Sequence, residues 1–489
     1  MGGGDQITLD NNNLTTTQAE AFRGSAPVRG AIDALCEQLA LAQSALTGAR
    51  GPIDGAASEN LASWLERAAK VRGKGGFFPY LGSSLGNGPL VELVDGSVKW
   101  DMIGGIGVHM FGHSDPEMIR ASLESGLDDV VMDGNLQFNQ PLVELCEQLV
   151  KEAGRNSKLA HCFLTNSGAM ANESALKICQ QHVGSPPRII AFTDCFMGRS
   201  TTMAQIGDSA GARVGLPLNT LVDYVDFYDE AVGDASIEHS ARQLEEHIRR
   251  YPGQHATFVM ELVQGEGGLK QGPRAFFVRL MERCREAGIP IWADEVQSFG
   301  RTTEMFHFDV LELGDYVDVA TVGKMSQGCA AIYTEEMNPK PGLLSGTFAS
   351  SASACRVGLA ALRRMREGGY YGPDGRNAKL QAAFRQHAEA LVQRQPACFG
   401  EVRDLQGRTL PSLVAGTGGF CRFTPFGGER ARVMRLLQVM FEEGVIAFVC
   451  GHDPYHIRML PPVGVMDPDQ FGPVFEIVER ALLRTHEEG

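Results

Sequence analysis

Lys324 follows the apolar run VDVATV and opens into GKMSQG, so a single amine sits at the end of what reads as a buried strand. Desolvation disfavours an ammonium and leaves a usable nucleophile. The same lysine could also snorkel to the surface. Thirty residues earlier, IPIWADEVQ places Asp294 and Glu295 at the end of another apolar run. An ionised carboxylate there is costly unless a cation or strong donors meet it, although a helix cap or a surface acid would read the same way. A third stretch, NSGAMANESALK, is a glycine turn opening a helix, which leaves the N–H groups of Gly168 and Ala169 unpaired at the positive end of the helix dipole. Alone that turn is weak evidence for an anion site.

The elements that must position these groups alternate. Short β-type runs (HCFLT, RIIAFT, ATFVMEL, IPIWA, VDVATV) are interleaved with amphipathic helices such as AMANESALKICQQH and PRAFFVRLMERCREAG. This is the pattern of stacked βαβ units and a mostly parallel sheet. In such sheets ligands bind beyond the carboxyl ends of the strands. Here those ends are followed by NSGAMANE, DCFMGRS, VQGEGG, DEVQ and GKMSQG, so glycines and ionisable groups arrive five times on one edge. An anion cradle, a buried acid and an amine together suit a molecule with a phosphate, a protonatable ring nitrogen and an aldehyde. Pyridoxal 5'-phosphate is that molecule.

The chain has 489 residues, enough for two domains. We expect a helical segment over 1–75, a large domain over 76–363 whose first part contributes to the smaller domain and the substrate site, and a C-terminal small domain over 364–489. Lys and Arg number 44 against 59 Asp and Glu, a net charge of -15, with no basic block to track a phosphate backbone. Nucleic acid is not an expected partner. No stretch approaches the length of a membrane span, and the opening MGGGDQITLDNNNLTTT has neither a signal-peptide pattern nor the usual myristoylation pattern. A cytoplasmic location without membrane association is expected. The 11 cysteines are scattered, with no CxxC pair, and read as reduced core thiols; no metal site is expected.

From about Tyr80 to the C-terminus the chain resembles the class III aminotransferases, pyridoxal-phosphate enzymes of fold type I. The resemblance rests on an ordered set: GHSDP, SGAMANE, FMGR, ELVQGEGG, ADEVQSFGR, the GK of Lys324, GTF and IRMLPP. It implies an α/β fold, with a large domain around a mostly parallel sheet and a smaller α+β domain from the chain termini. It implies that Lys324 is the Schiff-base lysine and proton shuttle, that Asp294 pairs with the ring nitrogen, and that Gln297 approaches the ring hydroxyl. Gly168 and Ala169 match the phosphate-binding backbone and Phe196 the aromatic that stacks on the ring. Thr347 matches a threonine that reaches the neighbouring subunit's phosphate, which implies a homodimer with its sites at the interface. Arg458 matches the arginine that binds an α-carboxylate, Glu266 the acid that covers it when an ω-amine is bound, and Arg199 an arginine that holds a distal carboxylate.

The activity implied is amino transfer from an ω-amino acid or diamino acid, of the 4-aminobutyrate, lysine or ornithine type, to 2-oxoglutarate or pyruvate. An aminomutase or racemase, a decarboxylating transaminase and a non-catalytic cofactor-binding homologue remain as alternatives. The chain departs from the family at Ala169 and Met170, where Thr-Glu is usual, at Met197 for a histidine, at Leu262 for a proline, and in FASSASACR after the GTF motif.

Overall fold

A computed structural model describes residues 16–129, 132–404 and 407–488. Residues 1–15, which carry the reading of the chain's opening, lie outside them. Seven strands form the central sheet: β1 (Leu159–Thr165), β2 (Arg188–Phe192), β3 (Leu221–Val225), β4 (His255–Glu261), β5 (Ile291–Asp294), β6 (Val319–Val322) and β7 (Cys329–Thr334). They are ordered β1-β7-β6-β5-β4-β2-β3. All run parallel except β7, which is antiparallel to both neighbours. The five strands expected from sequence are present. β3 and β7 were not anticipated: β3 adds an edge strand beside β2, and at β7 the chain turns back on itself within six residues of Val322 and re-enters the sheet.

Helices cover both faces, which is why the inner strands β4, β5 and β6 are buried along their whole length. The helix Gly168–His182 packs on β4, β6 and β7, and Gln140–Ala153 packs on β1. The helix Arg274–Glu286 buries Phe276, Phe277, Leu280, Met281 and Cys284 along one face, each large side chain contributing about 1.5–3 kcal/mol. It stops where Gly288 adopts φ +67° just past the cap, the left-handed conformation that ends a helix cheaply only with glycine. Phe192, Phe258, Phe276 and Phe277 form an aromatic cluster at the sheet centre, with Phe192 and Phe258 centroids 4.9 Å apart.

A second sheet lies in the C-terminal part: β8 (Val414–Thr417), β9 (Phe420–Phe423), β10 (Phe448–Cys450) and β11 (His456–Met459), antiparallel in the order β8-β9-β11-β10. A third sheet joins the strands Gly82–Asn87, Leu90–Leu93 and Val98–Asp101 to Val445–Ile446, which runs parallel to Val98–Asp101. Trp100 N donates to Gly444 O and Met102 N to Ile446 O, both at 2.8 Å. Helices Gln18–Gly24, Ala26–Gln43 and Gly55–Arg72 precede this sheet. The second docks through Gln43, whose side chain donates to Gly86 O (2.8 Å) and Ser114 O (2.9 Å). Among the described residues no helix is long and apolar enough to cross a membrane.

Candidate active site

The carboxyl ends of β1, β2, β4, β5 and β6 open into one cavity of about 310 Å³, lined among others by Gly168, Ala169, Phe196, Asp294, Gln297 and Lys324. All six were expected from sequence. Lys324 is partly buried and takes φ +54° in a single 3-10 turn after Gly323. Desolvation lowers its pKa, Asp294 and Glu266 oppose that, and Arg301 and Arg458 add to it. A Cβ at Gly323 would lie tightly, 3.1 Å from Cys329 Sγ and 3.2 Å from Val296 Cγ1.

Asp294 is buried, and its hydrogen-bond donors among the described residues are neutral: Asn172 Nδ2 at 2.8 Å on Oδ2, Val296 N at 2.9 Å on Oδ1 and the Thr321 side chain. Desolvation raises its pKa despite those bonds and the nearby Lys324. A neighbouring carboxyl, Glu261, stands level with it on β4. Glu261 accepts from Phe196 N at 2.8 Å, and burial followed by the Asp294 charge holds its pKa well above the usual range.

The glycine turn is built as expected. Ser167 caps the helix by accepting from Met170 N at 3.3 Å, leaving the N–H groups of Gly168 and Ala169 at the cavity wall. A Cβ on Gly168 would meet Val296 Cγ1 at 2.7 Å. Met170 points elsewhere and is exposed, and Met197 is buried, its carbonyl accepting from Asn172 Nδ2 at 2.8 Å.

Arg458, on β11, is fully buried. Its Nη1 donates to Glu266 Oε1 (2.7 Å), Gly265 O (3.1 Å) and Gln297 Oε1 (3.3 Å), while Nε and Nη2 have no partner. Gln297 thus links the arginine to the cavity. Gly265 permits that approach, since a Cβ there would lie 1.9 Å from Gln297 Oε1. Arg199 is exposed with its guanidinium 5.3 Å from the Phe196 ring centre, and it forms no ion pair among the described residues. Thr347 is not brought to this cavity. It is exposed, on a segment tied to 133–135 by Asn135 N to Gly346 O (3.1 Å) and Ala349 N to Asp133 O (2.9 Å).

Sequence reasoning missed Asn172, Glu261, Val296, Gln327 and Cys329, all of which line the cavity. Asn172 was within reach, lying one helical turn after Gly168 on the same face. Cys329 was not, because its position depends on the unforeseen return of β7.

These features fit pyridoxal 5'-phosphate. The buried carboxylate lacks a cation, which a protonated ring nitrogen would supply; the amine shares its cavity; and the glycine turn offers free N–H donors to a phosphate.

The class-III aminotransferase family matches residues 79–482. The chain belongs to this family, whose members are pyridoxal-phosphate enzymes. It is 30% identical over 344 residues to the acetylornithine aminotransferase of Myxococcus xanthus, covering 66% of this chain and 78% of that protein. It is 28% identical to the 5-aminovalerate aminotransferase of Pseudomonas putida, covering 82% and 93%. Among solved structures it is similar to the lysine aminotransferase of M. tuberculosis, with a TM-score of 0.73 and 20% identity, covering 86% of this chain and 99% of that one. The protein is therefore a pyridoxal-phosphate-dependent aminotransferase with an amino donor and an oxo acid acceptor as its small-molecule partners.

Proposed function

We propose that this enzyme takes the amino group of an ω-amino acid or diamino acid, of the 4-aminobutyrate, lysine or ornithine type, and passes it to 2-oxoglutarate or pyruvate in two half-reactions on one site. The observation that carries this reading is the Arg458–Glu266 pair: a fully buried arginine with two open donors and an acid at 2.7 Å on a third. With Glu266 in place the positive charge is cancelled, and a terminal amine with no carboxylate beside it can enter. When Glu266 swings away, Nε and Nη2 offer a planar fork to the carboxylate of an oxo acid. Arg199, exposed beside Phe196 with no ion pair among the described residues, is read as the group that takes a distal carboxylate.

Pyridoxal 5'-phosphate supplies the electron sink that lets the C–H bond beside the donor nitrogen break. Lys324 Nζ, whose pKa desolvation lowers, would hold the cofactor and then carry the proton. Asp294 keeps the proton on the ring nitrogen, and Asn172 and Val296 N fix the orientation of its carboxylate. Phe196 would pack against the ring, Gln297 would approach the ring hydroxyl, and the N–H groups of Gly168 and Ala169 would receive the phosphate. Acetylornithine and 5-aminovalerate aminotransferases among the relatives support an amine distant from a carboxylate as the donor group.

We further infer a homodimer with Thr347 reaching the partner's phosphate site. Support comes from the exposure of Leu136 (98%), Phe138 (60%) and Phe348 (49%) on the segments that carry or adjoin Thr347. Residues 76–363 and 364–489 are read as the large and small domains, with 1–75 as a helical segment against them, and a cytoplasmic location suits this chemistry. A single-turnover assay on holoenzyme tests the donor assignment, using 4-aminobutyrate, lysine, ornithine, alanine and glutamate in turn. The expected result is one equivalent of oxo product from one ω-amine donor, with the cofactor's absorbance restored by 2-oxoglutarate. Release of carbon dioxide, or isomerised substrate without oxo product, would overturn it.

A further inference from the structure

Glu266 lies in the turn between the short strands Val263–Gln264 and Lys270–Gln271. Both ends of that turn are fastened to the loop after β2. Gln264 Nε2 donates to Thr193 O at 2.6 Å, and Lys270 Nζ reaches Asp194 Oδ2 at 2.6 Å. The other oxygen of Asp194 faces His452 Nε2 at 3.1 Å. His452 belongs to the loop between β10 and β11, and β11 carries Arg458. The same loop also holds the turn directly, through Gly451 N to Glu266 O at 2.8 Å. Asp194 itself stands at φ +61°, and its backbone N–H donates to Asp208 Oδ2 at 3.0 Å. One carboxylate thus joins the element that presents Glu266 to the element that presents Arg458.

We propose that Asp194, bridging Lys270 and His452, is a positioning residue that keeps the Glu266 turn over Arg458 and sets the balance between the covered and the open carboxylate site. This rests on reading the Arg458–Glu266 pair as a gate. The strength of the bracket suits a gate that must open in every cycle. The side chains of Asp194, Lys270 and His452 are 22%, 42% and 47% exposed. Pairs so open to water bias a population severalfold and do not lock it. A buried bracket would hold the acceptor half-reaction shut.

The test uses holoenzyme carrying Asp194→Asn, which keeps the shape and tolerates a left-handed backbone, and glutarate, a dicarboxylate with no reactive group, as the probe. Calorimetry is expected to show glutarate binding tightened about three- to tenfold, with the amine donor's KM raised by a similar factor and kcat unchanged. Lys270→Met should behave alike, and Lys270→Arg should restore the original balance; these read the bracket even if Asp194→Asn fails to fold. Unchanged or weakened glutarate binding, equal damage to both substrates, or failure of Lys270→Arg to restore would overturn the proposal. Glu266→Gln separates the two readings. If it leaves glutarate binding unchanged, the gate itself falls; if it tightens binding and the Asp194 and Lys270 variants do not, the role of Asp194 falls alone.

Discussion

Replacing Arg458 by methionine preserves bulk at a fully buried position and removes the guanidinium. The open Nε and Nη2 groups are the fork available to a carboxylate, and each charge-assisted hydrogen bond is worth about 1.5–3 kcal/mol. Losing two costs about 3–6 kcal/mol, or a fall of about 100- to 10,000-fold in the acceptor's kcat/KM. The donor half-reaction does not use the fork. It suffers only because Glu266 loses its partner, and that side chain is 31% exposed and stays partly hydrated, so the donor loss is expected to be severalfold. Stopped-flow measurement of each half-reaction separates the two numbers. The double variant Arg458→Met/Glu266→Gln removes the stranded charge and should bring the donor half-reaction back toward the original rate, leaving the acceptor defect in place. Equal losses in both half-reactions of the single variant, undiminished in the double, would refute the reasoning and make Arg458 a purely structural residue.

Lys324→Ala is expected to abolish amino transfer to background while the glycine turn still retains cofactor, as measured by bound phosphate after dialysis; appreciable turnover would refute the role of Nζ. Thr347→Val should weaken cofactor retention severalfold with no change in the protein's sedimentation, and retention as in the parent protein would remove Thr347 from the phosphate site. Glu295 is buried, and desolvation pushes its pKa up to about 7 against its bonds from Phe308 N and Ser298 Oγ. Because the folded value lies above the unfolded value of about 4.3, the folded protein binds the extra proton, and stability falls as pH rises between the two. Glu295→Gln should flatten that slope in urea titrations and raise stability at pH 8 by on the order of 1–3 kcal/mol; an unchanged slope would refute it.

The cavity-forming edge was legible because parallel strands buried on both faces write themselves as short apolar runs, and the residues that follow each run are chemically conspicuous. Lys324, Asp294 and Gly168 were found that way, whereas Phe196 came only from the family resemblance. What the sequence hid was everything fixed by non-local pairing. β7, CAAIYT, was hidden because its place is set by pairing with β6 just before it and with β1 more than 160 residues earlier in the chain. Asn172 and Glu261 were inside recognised motifs, yet their roles depend on which strand and helix turn face Asp294. Gly265 offered no hint at all, since its requirement is the approach of Gln297, thirty-two residues later in the sequence. Thr347 could be placed only by resemblance, because nothing in its own chain accounts for its exposure.

The sheet that joins Val98–Asp101 to Val445–Ile446 carries a cost in time. Lys99 Nζ donates to Phe441 O at 2.8 Å across 342 residues of sequence. At a ribosomal rate of about 5–20 residues per second, the early strands wait on the order of 20–70 s for their partner. Throughout that interval the edge beyond Val98, which Arg50 already closes, is unfinished at Trp100 and Met102 and available to any other extended chain. Assembly of this part of the molecule is therefore governed by a segment synthesised more than 300 residues after the strands it joins. A nascent chain stalled shortly before Gly444 would hold the whole central sheet and still lack the strand that closes that edge.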